Sequence, residues 1–197
     1  HVVGHPAIHD RNGTKDLLAA LRYVTKPVTI SFKCQDPEYV WKMMSEEAGL
    51  GGMLNYPDHV IVVAYPKQPD NYWEIFTTEK YDAVIMPRRF GGLCLPAQEA
   101  LAAGMPVIMP NISPNFDLLP SEWLTPAEYY GSFMAAVAVP LYRTDPKVLA
   151  AKIDQFADFD YIEEQREKTS LYSDPISWDA QKPQYTNLFQ SMLAVNA

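Results

Sequence analysis

Cysteine is scarce in this 197-residue sequence, with Cys34 and Cys94 as the only two. Their spacing fits no zinc or redox motif, so the expectation is two free thiols in a reducing compartment rather than a disulfide scaffold. Positive charge is also in deficit. Sixteen Lys and Arg against 24 Asp and Glu leave a net charge of −8, and no basic stripe is available to neutralise nucleic-acid phosphates. Long hydrophobic runs are missing: the longest, around residues 133–141, falls far short of the roughly 20 residues that a membrane-spanning helix needs. No secretory signal pattern is visible, and no carboxylate pair stands at a local spacing suited to a metal. These absences predict a cytoplasmic protein with no metal, no cofactor, no transmembrane segment and no nucleic-acid partner.

What is present is ordinary for a globular chain. Hydrophobic residues make up 48% and charged residues 20%, enough for one sizeable core or two small ones. Seventeen prolines fall mostly where elements begin or end.

Residues 81–110 organise the rest. Ala83-Val84-Ile85-Met86 is a short apolar run bounded by Pro87, as expected for a strand covered on both faces. Arg88 to Cys94 brings two arginines, Phe90 and the Gly91-Gly92 pair, a composition suited to close backbone approach to a ligand. Pro96 suits a first helical turn and Gly104 before Pro106 a helix stop. Residues 107–109 form the next strand, so the stretch reads as one βαβ unit. The loop after a parallel strand meets the amino end of the next helix, where free N–H groups and the helix dipole favour anions. Two arginines there point to phosphate. Glu99, expected in the first helical turn, reads either as a solvated carboxylate or as a ligand for a pair of sugar hydroxyls.

The remaining pattern alternates strand and helix. Residues 2–4 end a first strand, and a polar loop with His5, His9, Arg11, Asn12, Gly13 and Lys15 follows. Thr14 is the expected cap of a helix over 15–24. Strands are expected at 28–32 and 59–64. Between them Asp36-Pro37 starts a helix whose inner stripe is Val40, Trp41, Met44 and Ala48, stopped by Gly49. Gly49-Leu50-Gly51-Gly52 does not follow a strand and is rejected as a dinucleotide fingerprint. Asp70 or Asn71 caps a short helix over 72–78. Pro126 after Thr125 predicts a helix within 124–134, followed by a strand over 135–142. Asp145-Pro146 opens a helix carrying Val148, Leu149, Ile153 and Phe156. Residues 161–172 read as a solvated helical face, and a terminal helix carries Tyr185, Leu188, Phe189, Met192 and Leu193 on one side. Strands alternating with capped helices give an α/β, Rossmann-like, doubly wound parallel sheet flanked by helices.

At residues 87–108 the sequence resembles retaining GT-B-type glycosyltransferases of the Glu-x7-Glu class, the group 1 glycosyl transferases. Pro87, Arg89, Phe90, Gly92, Leu95, Pro96, Glu99, Ala100, Ala102, Gly104, Pro106, Val107 and Ile108 fall on that signature without a gap. The resemblance implies one half of a GT-B fold. Residues 1–197 would be a single donor-binding domain, with a core to about residue 172 and a terminal helix at about 173–197 crossing back toward an absent amino-terminal acceptor domain. Because the sequence opens within a strand, an excised domain is expected, inactive alone. The implied substrate is a nucleotide diphosphate sugar with UDP or GDP as the expected carrier.

The resemblance also implies roles. Glu99 would hold the ribose, and the backbone of Gly91, Gly92, Leu93 and Cys94 beside Phe90 would line the diphosphate and sugar. Arg88 or Arg89, with Arg11 or Lys15, would neutralise the departing diphosphate. Gly4 and Gly13 match glycines of the family's first loop, while His5 and Asn12 stand where its arginine and lysine would be. Tyr65, leaving the third strand, is placed to stack on the base. Gly91 occupies the position of the first glutamate, Arg88 that of a small serine and Cys94 that of a glycine. Two other readings stay open: a catalytically inert nucleotide(-sugar)-binding module, and a nucleotide-sugar 2-epimerase-like enzyme on the same fold.

Overall fold

The structure, a computed structural model, describes residues 1–4, 8–48, 56–65, 71–77 and 80–195. The expectations placed on His5, Gly49-Leu50-Gly51-Gly52, the loop beyond Tyr65, the side chains of Ala48 and Tyr65, Asp70 and Thr78 lie outside the described residues.

The chain alternates as expected through β1 (Val2–Gly4), α1 (Thr14–Ala20), β2 (Val28–Cys34), α2 (Pro37–Ala48), β3 (Val60–Tyr65), β4 (Val84–Ile85), α3 (Leu95–Ala102) and β5 (Val107–Pro110). It continues through α4 (Asn115–Leu118), β6 (Leu124–Thr125), β7 (Glu128–Met134), β8 (Ala138–Arg143), α5 (Pro146–Phe156), α6 (Phe159–Glu167), α7 (Thr169–Ser173) and α8 (Trp178–Val195). Two parallel sheets result, in the orders β1-β2-β3 and β4-β5-β6, with β7 and β8 as an antiparallel hairpin. The fold class is α/β with parallel sheets flanked by helices.

Period-2 burial accounts for β2, where Ile30, Phe32 and Cys34 are buried and Thr29, Ser31 and Lys33 face the other way. All four residues of β5 are buried, as its unbroken apolar run requires of a strand covered on both faces. Trp123 closes the core completely buried, its indole N–H donating to Gln165 Oε1 at 2.9 Å. That bond satisfies two polar groups which burial would otherwise leave costly. α5 is fastened to the turn after α1 by Asp154, whose carboxylate accepts from the Thr25 hydroxyl and from the N–H groups of Thr25 and Lys26 at 2.7–3.1 Å. Asp145 caps α5 through Lys147 N and Val148 N.

Five expectations need correction. Residues 124–134 form β6 and the first arm of a hairpin rather than a helix, because Tyr129, Tyr130 and Phe133 favour a pleated strand, with Tyr129 and Phe133 paired across to β8, which begins only at Ala138. Trp41 is 51% exposed and Met43 takes its place in the α2 stripe: Val40, Met43 and Met44 follow the i, i+3, i+4 spacing, from which Trp41 is turned by about 100°. α1 ends at Ala20 and continues to Tyr23 only as a 3-10 turn. Thr14 does not cap it; the carboxylate of Asp10 accepts from the N–H groups of Thr14 and Lys15 at 3.0 and 2.9 Å. Residues 161–172 span α6 and α7 with Ile162, Gln165 and Thr169 buried, so that face is only partly solvated. The apolar stripe expected on α8 exists, but Tyr185, Leu188, Phe189, Met192 and Leu193 are all exposed. Among the described residues no helix is long and apolar enough to cross a membrane.

Candidate functional site

Two loops meet at the carboxyl ends of β1 and β4. The loop after β4 is strapped at both sides: Arg89 N donates to Arg11 O at 2.9 Å, and Tyr142 N of β8 donates to Arg89 O at 2.8 Å. The loop before α1 is pulled to β1 by Asn12 Nδ2, which donates to Val3 O at 2.6 Å. Gly13 is where the loops touch. Its φ of +70° favours glycine, and a Cβ there would stand 1.8 Å from Pro87 O.

The two arginines of the second loop have different fates. Arg89 is committed to protein carboxylates: Nη2 and Nε reach Asp16 at 2.6 and 3.1 Å, and Asp10 lies 3.6 Å from Nη2. Burial opposes the charge of Arg89, but the fork onto Asp16, then Asp10, holds it firmly protonated. Asp10 pays for the same burial, which pushes its carboxyl up to about 6 against the pull of Lys15 N–H and Arg89. Arg89 therefore fastens the loop to α1. Lys15 points elsewhere, its Nζ 2.7 Å from Glu46 of α2 on an exposed surface.

Arg88 is only 4% exposed, and its Nε has no hydrogen-bond partner. Among the described residues its one side-chain hydrogen bond is a long one from Nη1 to Gly92 O at 3.5 Å. Arg11 faces it. Both guanidinium groups converge on Gly91, where a Cβ would lie 2.7 Å from Arg88 Nη2 and 3.7 Å from Arg11 Nε. Burial first, and then repulsion from Arg88, draws Arg11 below the usual arginine range. Among the described residues no carboxylate is within ion-pair distance of either group. A buried, unpaired cation such as Arg88 is costly, and with the exposed Arg11 facing it the pair makes a cationic site suited to an anion.

Cys94, buried, forms the N-cap of α3 with no side-chain cap bond. The positive end of the α3 dipole adds to the field beside the arginines, although Pro96 has no N–H and Ala97 N and Gln98 N both donate to Cys94 O at 3.0 and 3.1 Å. Leu93 is 62% exposed at the rim. Phe90 packs on Phe133 of β7 with centroids 5.0 Å apart, and His9 stacks on the same ring at 4.6 Å, giving the site an aromatic wall. Glu99 is half-buried and lies in the second turn of α3 rather than the first, since the helix begins at Leu95.

The structure thus brings Arg11, Arg88, Phe90, Gly91, Gly92, Leu93 and Cys94 together, and places Gly4 at the end of β1 beside Cys34. Asp10, Asp16 and Phe133 were not anticipated. The only sequence signal for Asp10 is its place four residues before Thr14, within reach of the first N–H groups of α1. No grouping of His, Cys, Asp or Glu able to hold a metal occurs among the described residues.

No protein-family model and no curated protein sequence matches the chain. Solved structures do. Sucrose-phosphate synthase from Thermosynechococcus elongatus superposes with a TM-score of 0.61 at 20% identity, over 98% of this chain and 46% of that one. HepE from Anabaena, crystallised in complex with UDP and glucose, superposes with a TM-score of 0.56 at 17% identity, over 94% of this chain and 48% of that one. The chain has the fold of about one half of each of these GT-B glycosyltransferases. Both neighbours are about twice the length of this chain, and their likeness to it is one of fold. The described loops and arginines lie at the carboxyl ends of the parallel strands, where open α/β sheets take their ligands.

Proposed function

We propose that this chain is the donor-binding half of a retaining glycosyltransferase, receiving a nucleotide diphosphate sugar. The observation that carries the reading is the buried guanidinium of Arg88, unpartnered at Nε and faced by Arg11 at the amino end of α3. A diphosphate supplies the missing counter-charge. The HepE neighbour, with UDP and glucose bound, supports a ligand of this class for the shared fold.

In this reading Arg88 and Arg11 hold the diphosphate, with the backbone of Gly91, Gly92, Leu93 and Cys94 beside it. Glu99 takes the ribose hydroxyls, and Tyr65 stacks on the base of UDP or GDP. Phe90 forms the wall, Gly4 and His5 stand at the end of β1, and Arg89 and Lys15 hold the surrounding elements in place. The bond between the anomeric carbon and the diphosphate oxygen breaks, and its electron pair leaves with the diphosphate. Arg88 and Arg11 neutralise the charge that develops there. An acceptor hydroxyl oxygen then bonds to the anomeric carbon on the face the diphosphate left, and its proton passes to the departing diphosphate oxygen. Neither a cofactor nor a metal takes part, and the setting is the cytoplasm. Acceptor binding belongs to a second, amino-terminal domain; residues 1–172 are the donor core, and α8 presents its apolar face to that domain.

Calorimetric titration with UDP, GDP and ADP tests the site. One nucleotide binds saturably, and Glu99→Ala weakens it by about 1–3 kcal/mol through loss of a charged hydrogen-bond acceptor. Absence of saturable binding by all three contradicts the proposal. A second reading, an inert nucleotide-binding module, is favoured by Gly91, where the side chain of Arg88 stands 2.7 Å from the position a Cβ would take. Adding a cognate acceptor-binding half and measuring sugar transfer separates the two: turnover supports the transferase, tight binding without turnover the module.

A further inference from the structure

Arg11 and Arg88 stand on separate loops, and the like charges of their facing guanidinium groups push those loops apart. Backbone strain acts at the same place. His9 and Asp10, directly before Arg11, both take left-handed backbone angles, with φ of +54° and +49°. A non-glycine residue persists there only where its surroundings over-determine it. Asp10 is held by its own carboxylate, which accepts from Thr14 N and Lys15 N. For His9 the support comes from outside the loop. Its carbonyl accepts a long bond from Arg89 Nη1 at 3.4 Å, and its ring lies against Phe133 of β7 with centroids 4.6 Å apart.

The β7–β8 hairpin is shaped to deliver that ring. On β7, Gly131 and Phe133 stand opposite Leu141 and Val139 of β8, and Leu141 is buried, so by strand alternation this is the face turned toward the body of the molecule. An extra residue, Tyr130, interrupts the register between Tyr129 and Gly131, and its ring lies 5.8 Å from the guanidinium of Arg89. Tyr142 N donates to Arg89 O at 2.8 Å, and Phe133 packs edge-on against Phe90 at 5.0 Å. The hairpin thus grips the loop after β4 at three points and, through His9, the loop before α1 as well. Phe133 touches one residue two positions before Arg11 and another two positions after Arg88.

We propose that Phe133 is a positioning residue of the anion site: packed on both His9 and Phe90, it sustains the left-handed turn at His9 and holds Arg11 against Arg88. Both cations are then in place before a nucleoside diphosphate arrives, and binding does not have to order them. The ligand comes from the nucleotide reading, on which this inference rests, whereas the clasp of hairpin on loops belongs to the chain without ligand.

The test sets the wild-type chain beside Phe133→Ala and Phe133→Tyr. Exchange of the Arg89 amide, whose N–H donates to Arg11 O across the two loops, is expected to quicken about tenfold in Phe133→Ala and to return to the wild-type rate in Phe133→Tyr. Titrations with UDP and GDP are expected to follow the same order, with affinity about tenfold weaker in Phe133→Ala and recovered in Phe133→Tyr. The urea midpoint stays at the wild-type value, because Phe133 lies outside the buried core. Unchanged Arg89 exchange or unchanged nucleotide affinity in Phe133→Ala overturns the proposal, and so does an affinity loss matched by a fall in the urea midpoint. A wild-type chain that binds neither nucleotide contradicts the nucleotide reading instead, and Arg89 exchange then decides the clasp by itself.

Discussion

Arg88 concentrates the chemistry of the site in one side chain. A guanidinium that is 4% exposed with Nε unpartnered is a strain on the ligand-free chain and an asset once an anion arrives. Arg11→Ala is expected to weaken nucleotide binding by about 1.5–3 kcal/mol with no loss of folding stability, read by calorimetry and urea unfolding. Lys15→Ala, whose ion pair with Glu46 is solvent-exposed, is expected to leave nucleotide affinity unchanged in the same titration. Gly13→Ala belongs to a different class. The clash with Pro87 O and the positive φ predict a loss of about 3 kcal/mol or more, seen as a fall in the urea midpoint. The sequence made the meeting of arginines, glycines and helix start legible, because all lie within one βαβ unit. It did not separate Arg88 from Arg89. That distinction rests on Asp16, 73 residues away from Arg89, and on burial, which no local pattern encodes.

At the level of elements, charge and packing fasten α1 to its neighbours through aspartates of opposite behaviour. Asp154 is drawn upward by partial burial, but its bonds to Thr25 and Lys26 hold it below the usual aspartate value of 3.8. A folded-state value below the unfolded one contributes stability above pH ~4, and that stability is lost as pH falls through the folded value. Asp154→Asn is therefore expected to cost about 1 kcal/mol at pH 7 and to flatten the acid limb of a stability–pH curve. Asp10, raised to about 6 by burial, works the other way, since its stability is full below 3.8 and declines as pH rises through 6. The first arm of the β7–β8 hairpin is the element that sequence reasoning assigned to helix, whereas the second was expected as a strand. Pro126 after Thr125 carries a helix-start signal, and only pairing with β8 reveals that the aromatic residues lie in a strand. Its Phe133 then becomes part of the site wall.

For the whole molecule, the alternation of parallel strands with helices and the loops at the strand ends were written in apolar runs and turn residues, while the cap of α1 by Asp10 was not. The GT-B neighbours share that architecture over nearly all of this chain and over about half of their own. What the sequence did not reveal is the division of the sheet at β2 and β4, since a short strand and a full one begin with the same apolar letters. The account as a whole turns on the claim that the arginine site is built for a diphosphate. Its most direct test is urea unfolding of the wild-type chain and Arg88→Met, each with and without a saturating nucleoside diphosphate. The account predicts that Arg88→Met is as stable as wild type or more so without nucleotide, and that the nucleotide stabilises only the wild type, by RT ln(1 + [L]/Kd). An Arg88→Met chain that is less stable alone yet still gains fully from the nucleotide would contradict it.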